Sequence, residues 1–214
     1  MHVIYLHGFA SSSASTKAGF FAARLRALDI PLLTPDLNEP DFSTLTISRM
    51  VEQVTEALDR IPPNVPVVLV GSSLGGLVAV HVATRRPDRV GKLILLAPAL
   101  EFGGKATAPL GDRALEEWKA TGVTNVFHYG DGRVRPVGYA LYADACAYDC
   151  AGVSLTMPIQ IFQGRHDTVV DPGSVEHWAS TRPNVELLLV DDDHQLGRSL
   201  DCIWQQAARF LALA

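Results

Sequence analysis

Positive charge is in short supply. The 214 residues hold 18 Lys and Arg against 23 Asp and Glu, a formal net charge of −5 with His neutral. No basic face is expected that would neutralise phosphates, which excludes nucleic acid and an anionic membrane as expected partners. Cysteine is scarce too: Cys146, Cys150 and Cys202 cannot all pair within one chain, and no metal-ligand spacing joins them to histidines. Buried reduced thiols, with no metal site, are the expectation. The chain shows no charged segment followed by an apolar run and a small-residue cleavage site. Met1 opens directly onto the strand-like His2-Val3-Ile4-Tyr5-Leu6, so secretion is not indicated. A long hydrophobic run is missing as well. The longest stretch without Asp, Glu, Lys or Arg, positions 61–84, is interrupted by Pro62, Pro63, Pro66, Gly71, Gly75 and Gly76. It reads as a buried strand, a turn and a helix rather than a membrane span.

What the sequence does hold is 48% hydrophobic residues, enough for one domain, 1–214, with a core that needs no metal or disulfide staple. Short β-rich runs at 2–6, 30–34, 66–70, 92–97, 158–163 and 185–190 alternate with segments of helical period. Several runs are apolar on both faces, as Val67-Val68-Leu69-Val70 and Leu93-Ile94-Leu95-Leu96 show, which predicts a parallel sheet covered on both sides. The helical stripes are Phe21, Leu25 and Leu28; Ile47, Met50, Val51, Val54 and Leu58; and Leu200, Ile203, Trp204, Ala207, Phe210 and Leu211. Pro62-Pro63 stops the second helix, and Asp171-Pro172 reads as an N-cap followed by Pro at the first helical position. The class is α/β: a mostly parallel six-stranded sheet with helices on both faces and right-handed crossovers.

One stretch, about 99–157, breaks the alternation and reads as a short inserted cap, with a helix at 112–120, a hairpin around Gly130-Asp131-Gly132 and a helix at 139–150. It carries Tyr129, Tyr139, Tyr142, Tyr148, Trp118 and Phe127. Of these, Trp118, Tyr129, Tyr139 and Tyr142 are candidates for lining an apolar substrate pocket. The competing reading makes about half of the rings the cap's own small core.

The strongest chemical signal is Gly71-Ser72-Ser73-Leu74-Gly75, a G-x-S-x-G between a strand and a helical run. Such a turn presents Ser73 at a helix N-terminus, where the dipole and free N–H groups favour negative charge. A serine hydroxyl needs a base within hydrogen-bond reach and an acid to orient that base. His194, after the last strand, is the expected base, and Asp167, after the strand ending at Gln163, is the expected acid. Asp171 competes for that role, although its place before Pro172 suits a helix cap better. The run Asp191-Asp192-Asp193 before His194 either shifts the acid limb of the rate profile upward or is a solvated acidic turn. The oxyanion donors are expected to be the backbone N–H groups of Leu74 and of Phe9, the latter made reachable by Gly8. His7 more plainly ends the first strand and holds that loop than acts as a base. Lys17 reads as a solvated helix residue, with contact to an acidic substrate group as the alternative.

Taken together, Tyr5-Leu6-His7-Gly8-Phe9, the Ser-rich segment through Lys17-Ala18, Gly71-Ser72-Ser73-Leu74-Gly75-Gly76, Gly164-Arg165-His166-Asp167 and Asp193-His194 resemble the α/β-hydrolase superfamily over nearly the whole chain. Within it they resemble the small bacterial esterases of the YqiA/YcfP type. The resemblance implies an α/β-hydrolase fold and a serine hydrolase acting on carboxylic esters, with no metal or organic cofactor and a cytoplasmic location. It also implies a six-stranded all-parallel core in the order 4-3-5-6-7-8 of the superfamily's labels, since the first strand begins at residue 2 and the two leading strands of larger relatives have no counterpart. A cap shorter than a lipase lid argues against interfacial action on fats. The expected reaction is cleavage of short- to medium-chain acyl esters, small-molecule substrates, through an acyl-enzyme. An acyl thioesterase acting on acyl-CoA or acyl-protein is the first alternative, and a hydrolase homologue that binds without turnover the second. Natural substrate and oligomeric state are left open.

Overall fold

Strands that are apolar on both faces are stable only when both faces are covered, and the chain meets that demand in order. The computed structural model describes residues 1–104 and 111–213. Strand β1 (His2–Leu6) is followed by α1 (Thr16–Arg26), β2 (Leu32–Leu33), α2 (Ile47–Asp59), β3 (Val67–Ser72), α3 (Leu74–Arg85) and β4 (Val90–Leu96). Then come α4 (Gly111–Thr121), β5 (Val123–His128), β6 (Arg133–Gly138) and α5 (Ala140–Ala145). The chain finishes with β7 (Ile159–Gly164), α6 (Pro172–Ser180), β8 (Val185–Val190) and α7 (Leu200–Phe210). The main sheet runs β2-β1-β3-β4-β7-β8 with every pairing parallel, which is the order expected for the six-stranded core.

Alternation along the strands divides the core in two. Ile4, Leu6, Leu69, Leu93, Leu95, Ile159 and Ile161 face one layer, under α2, α3, α6 and the segment between β4 and β7. Val3, Tyr5, Val68, Val70, Ile94, Leu96 and Phe162 face the other, under α1 and α7. Helix α2 begins where the Thr46 hydroxyl accepts from the Arg49 N–H, and α6 begins where both Asp171 carboxylate oxygens accept from the Gly173 and Ser174 amides. Among the described residues no helix is long and apolar enough to cross a membrane.

Several sequence readings need correction. The strand expected at 30–34 shortens to Leu32–Leu33 at the sheet edge, between two prolines that donate no ladder bond. Leu28 lies beyond the end of α1 and is exposed. The helix expected over 139–150 ends at Ala145. There the chain turns, with the Tyr148 N–H donating to the Ala145 carbonyl, and the Tyr148 ring stands edge-on to His81 at 4.9 Å. Only Cys150 is a buried thiol, and burial pushes it up to about 12; Cys146 and Cys202 are exposed. The segment read as a cap, 99–157, contains α4, the β5–β6 hairpin and α5, and its positions 105–110 lie outside the described residues.

Candidate active site

The site is assembled at the C-terminal ends of β1, β3, β7 and β8. Ser73 stands at the β3–α3 junction with φ 52° and ψ −119°, in a strained region that a non-glycine residue holds only when its surroundings impose it. They do: the Ser73 N–H donates to the Leu96 carbonyl at 2.9 Å, and its carbonyl accepts from the amides of Gly76 (2.9 Å) and Ala99 (3.0 Å). Close packing of the elbow depends on Gly75, because a Cβ there would lie 2.3 Å from the Leu6 carbonyl oxygen. Gly75→Ala is expected to cost about 3 kcal/mol, at the top of the overpacking range. In a chain of this size that lowers Tm by about 6–12 °C, checked by calorimetry.

The Ser73 Oγ lies 3.1 Å from His194 Nε2, and His194 Nδ1 lies 2.8 Å from Asp167 Oδ2. An ionised carboxylate only accepts, so Nδ1 carries the ring proton and Nε2 presents its lone pair to the serine hydroxyl. Asp167 Oδ1 accepts from the amides of Val169 and Val170 at 2.8 and 2.9 Å. Burial alone would raise the Asp167 carboxyl, but the hydrogen bonds from His194, Val170 and Val169 together outweigh it and hold the group below its ordinary value. The Asp167 side chain is 0% exposed and that of His194 14%, so the carboxylate is sealed while the imidazole is reachable.

The competing Asp171 is occupied as the cap of α6. The acidic run is hydrogen-bonded to His166 and within its own loop. Asp191 pairs with His166 Nε2 at 2.7 Å, Asp192 accepts from the Ser199 and Asp193 amides, and Asp193 accepts from the Gln195 amide. These bonds shape the loop that carries His194. Lys17 stands on α1, and its Nζ donates to the Gln195 carbonyl at 3.0 Å, tying that helix to the loop. Burial lowers the Lys17 ammonium, opposed by the charges of Asp193, Asp167 and Asp192.

Gly8 faces the serine directly, since a Cβ on it would lie 3.0 Å from Ser73 Cβ. The Phe9 amide follows Gly8 in the loop after β1, and the Leu74 amide opens α3. Among the described residues neither amide has a hydrogen-bond partner. His7 holds the turn from behind, its Nδ1–H donating to the Gly8 carbonyl at 2.9 Å and its Nε2 accepting from the Leu37 amide at 2.9 Å.

Of the four candidate aromatic residues, three meet. Trp118 is buried with its indole N–H on the Val137 carbonyl at 3.0 Å, and its ring lies 5.8 Å from that of Tyr139 and 6.4 Å from that of Tyr142. Phe102, which the sequence reading missed, joins them at 6.2 Å from Tyr142. It links this cluster to the elbow, because the Phe102 amide donates to Ala99 and the Ala99 amide to Ser73. Tyr129 does not join them: it is 75% exposed and edge-on to Phe127, with its amide donating to the Ala10 carbonyl at 2.7 Å. Among the described residues no three His, Cys, Asp or Glu side chains converge in a way that could hold a metal ion.

A parallel sheet in this order, with a strained serine after its third strand in sequence and a histidine after its last, defines a member of the α/β-hydrolase superfamily. The chain belongs to the family described as "Uncharacterised protein family (UPF0227)", whose model matches residues 2–211. It is similar to a putative hydrolase from Agrobacterium vitis S4, at 27% identity and a TM-score of 0.84, covering 97% of this chain and 86% of that one. It is also similar to the lipase LipV of Mycobacterium tuberculosis, 38% identical over 91 residues, which are 41% of this chain and span only 34% of the lipase. Mouse palmitoyl-protein thioesterase ABHD10 is 24% identical over 213 residues, 93% of this chain and 70% of that protein.

Proposed function

We propose that this protein is a serine carboxylic-ester hydrolase, cleaving short- to medium-chain acyl esters of small molecules through Ser73, His194 and Asp167. The hydrogen-bonded series from Ser73 Oγ through both ring nitrogens of His194 to a buried carboxylate carries this reading. In the first half-reaction His194 Nε2 takes the proton of the Ser73 hydroxyl as Oγ bonds to the acyl carbon. The carbonyl oxygen becomes an oxyanion facing the Phe9 and Leu74 amides. The tetrahedral intermediate then collapses: the bond to the alcohol oxygen breaks and His194 returns the proton to the leaving alcohol. Water, deprotonated by His194, attacks the acyl-enzyme in the same way and releases the carboxylic acid and Ser73. Asp167 holds the ring in the required tautomer and stabilises it when protonated, and no metal or organic cofactor takes part.

The acyl group is assigned to the side of the elbow lined by Phe102, Tyr139 and Tyr142, with Trp118 packed behind them. Tyr129 is given no part in it. The small apolar cluster favours short and medium chains, and the protein is assigned to the cytoplasm. A second reading, an acyl thioesterase, is favoured by the similarity along 93% of the chain to a palmitoyl-protein thioesterase, and it uses the same acylation step. A panel of aryl esters and acyl-CoA thioesters matched in acyl length decides between them. The expected result is a higher kcat/KM for the esters, with an optimum at or below medium chain length. A consistent preference for thioesters would replace the esterase reading by the thioesterase one, and an optimum at long chains would overturn the assignment of short and medium acyl groups.

A further inference from the structure

Strand β7, Ile159-Gln160-Ile161-Phe162-Gln163-Gly164, is buried along its whole length, yet it carries two glutamines. Gln160 has an evident partner in Glu186 of the neighbouring strand, at 2.7 Å. Gln163, 0% exposed, shares with Gln160 an Oε1 that has no hydrogen-bond partner among the described residues, and differs in the carboxylate that its Nε2 meets. That Nε2 donates to Asp167 Oδ2 at 2.9 Å and to the Gly164 carbonyl at 3.3 Å. An apolar side chain of similar volume would fill the same space without leaving a buried carbonyl unpaired. The feature an apolar side chain lacks is the N–H aimed at Asp167.

That N–H meets the same oxygen that His194 uses. Oδ1 of Asp167 is fixed by two backbone amides, and Oδ2 receives Gln163 Nε2 and His194 Nδ1 at 2.9 and 2.8 Å. We propose that Gln163 is a positioning residue for the hydrolytic step, its side-chain amide anchoring Asp167 Oδ2 independently of His194 and moderating the carboxylate's hold on the imidazole. This rests on the reading of Ser73, His194 and Asp167 as the reacting set. Two consequences follow from the geometry. With Gln163 in place, Oδ2 stays fixed while the imidazole gains and loses its proton. The donated N–H also spreads the negative charge of Asp167, so removing it tightens the pair between Asp167 and protonated His194. The acid limb of the rate profile then moves to higher pH. The other charged groups around this pair are Lys17 from α1, Asp192 and Asp193 from the loop after β8, and His166 with its partner Asp191. Substitution at Gln163 leaves all of them in place.

The test uses the full-length chain and a fluorophosphonate probe, which reads serine reactivity without knowledge of the natural substrate. Labelling rate against pH and the thermal midpoint are measured for the wild type, Gln163→Leu and Gln163→Met. The expected result is labelling slowed by about 10–100-fold, as for misplaced catalytic geometry. The acid limb moves to higher pH in both variants, and Tm stays within a few degrees of the wild type because an unpaired buried carbonyl is removed along with the hydrogen bond. Wild-type rates and an unmoved limb in both variants would overturn the role of Gln163 while leaving the serine-hydrolase reading intact. Loss of cooperative unfolding in both would overturn it too, by making the amide a strut of the fold. A wild type that the probe does not label would remove the underlying reading, and this proposal with it.

Discussion

Ser73→Ala is expected to lower kcat for an aryl acetate or butyrate by about 10⁶-fold, the scale seen when a nucleophile of this kind is removed. KM should change little, since the hydroxyl contributes to the acyl-transfer step and not to holding the acyl group. The variant should fold normally. The backbone of Ser73 is held by bonds from its N–H and carbonyl to Leu96, Gly76 and Ala99, none of which involves Oγ. The hydroxyl makes no cap for α3 either, so its loss leaves no helix amide newly unpaired. Residual rate above the uncatalysed reaction should persist at about 10³–10⁴-fold, from the Phe9 and Leu74 amides and from binding alone. Steady-state kinetics with unchanged thermal unfolding are the check. A variant that turns over like the wild type would show that another group attacks the acyl carbon.

The second large effect is expected from Asp167→Asn, about 10⁴-fold in kcat, for a reason of protons and not of shape. An asparagine in this place can still accept the Val169 and Val170 amides through its carbonyl oxygen. Its amide then faces His194 Nδ1 with a donor, and the ring must turn to the tautomer whose proton sits on Nε2. That nitrogen, 3.1 Å from the Ser73 Oγ, can no longer accept the hydroxyl proton. Gln163 meets the same donor, and turning its amide over offers Oε1 instead, so the fold should tolerate the change. A fall in kcat with Tm nearly kept is the expected pattern. A fall in both by the same substitution would mean that the carboxylate chiefly holds the β7–β8 region together.

The most legible parts of the molecule were those where a local rule and a global one coincide. Doubly apolar runs fixed the central strands, and Gly71, Ser73 and Gly75 marked the elbow because only small neighbours allow β3 to turn so sharply into α3. Chain order then pointed to Asp167 and His194. The edge of the sheet was less legible: two prolines cut β2 to two residues, and no periodicity announces that. In the inserted segment, burial depends on contacts with α2 and α3, so the sequence could not separate Tyr139 and Tyr142 from the exposed Tyr129. Phe102 was overlooked because it stands alone in a loop, and only the hydrogen bonds through Ala99 place it beside the elbow. Gln163 and Lys17 were opaque for another reason. The Lys17 partner lies 178 residues away, and Gln163, four residues before Asp167, is masked by the apolar strand it ends, where a glutamine carries no pattern of its own.

The order of the strands sets a timetable. Ser73 comes with β3, yet β4 and the whole inserted segment lie between it and β7, which brings Asp167, and His194 follows only after β8. On the proposed reading, the Ser73 hydroxyl therefore has no base beside it until the loop after β8 brings His194 within reach.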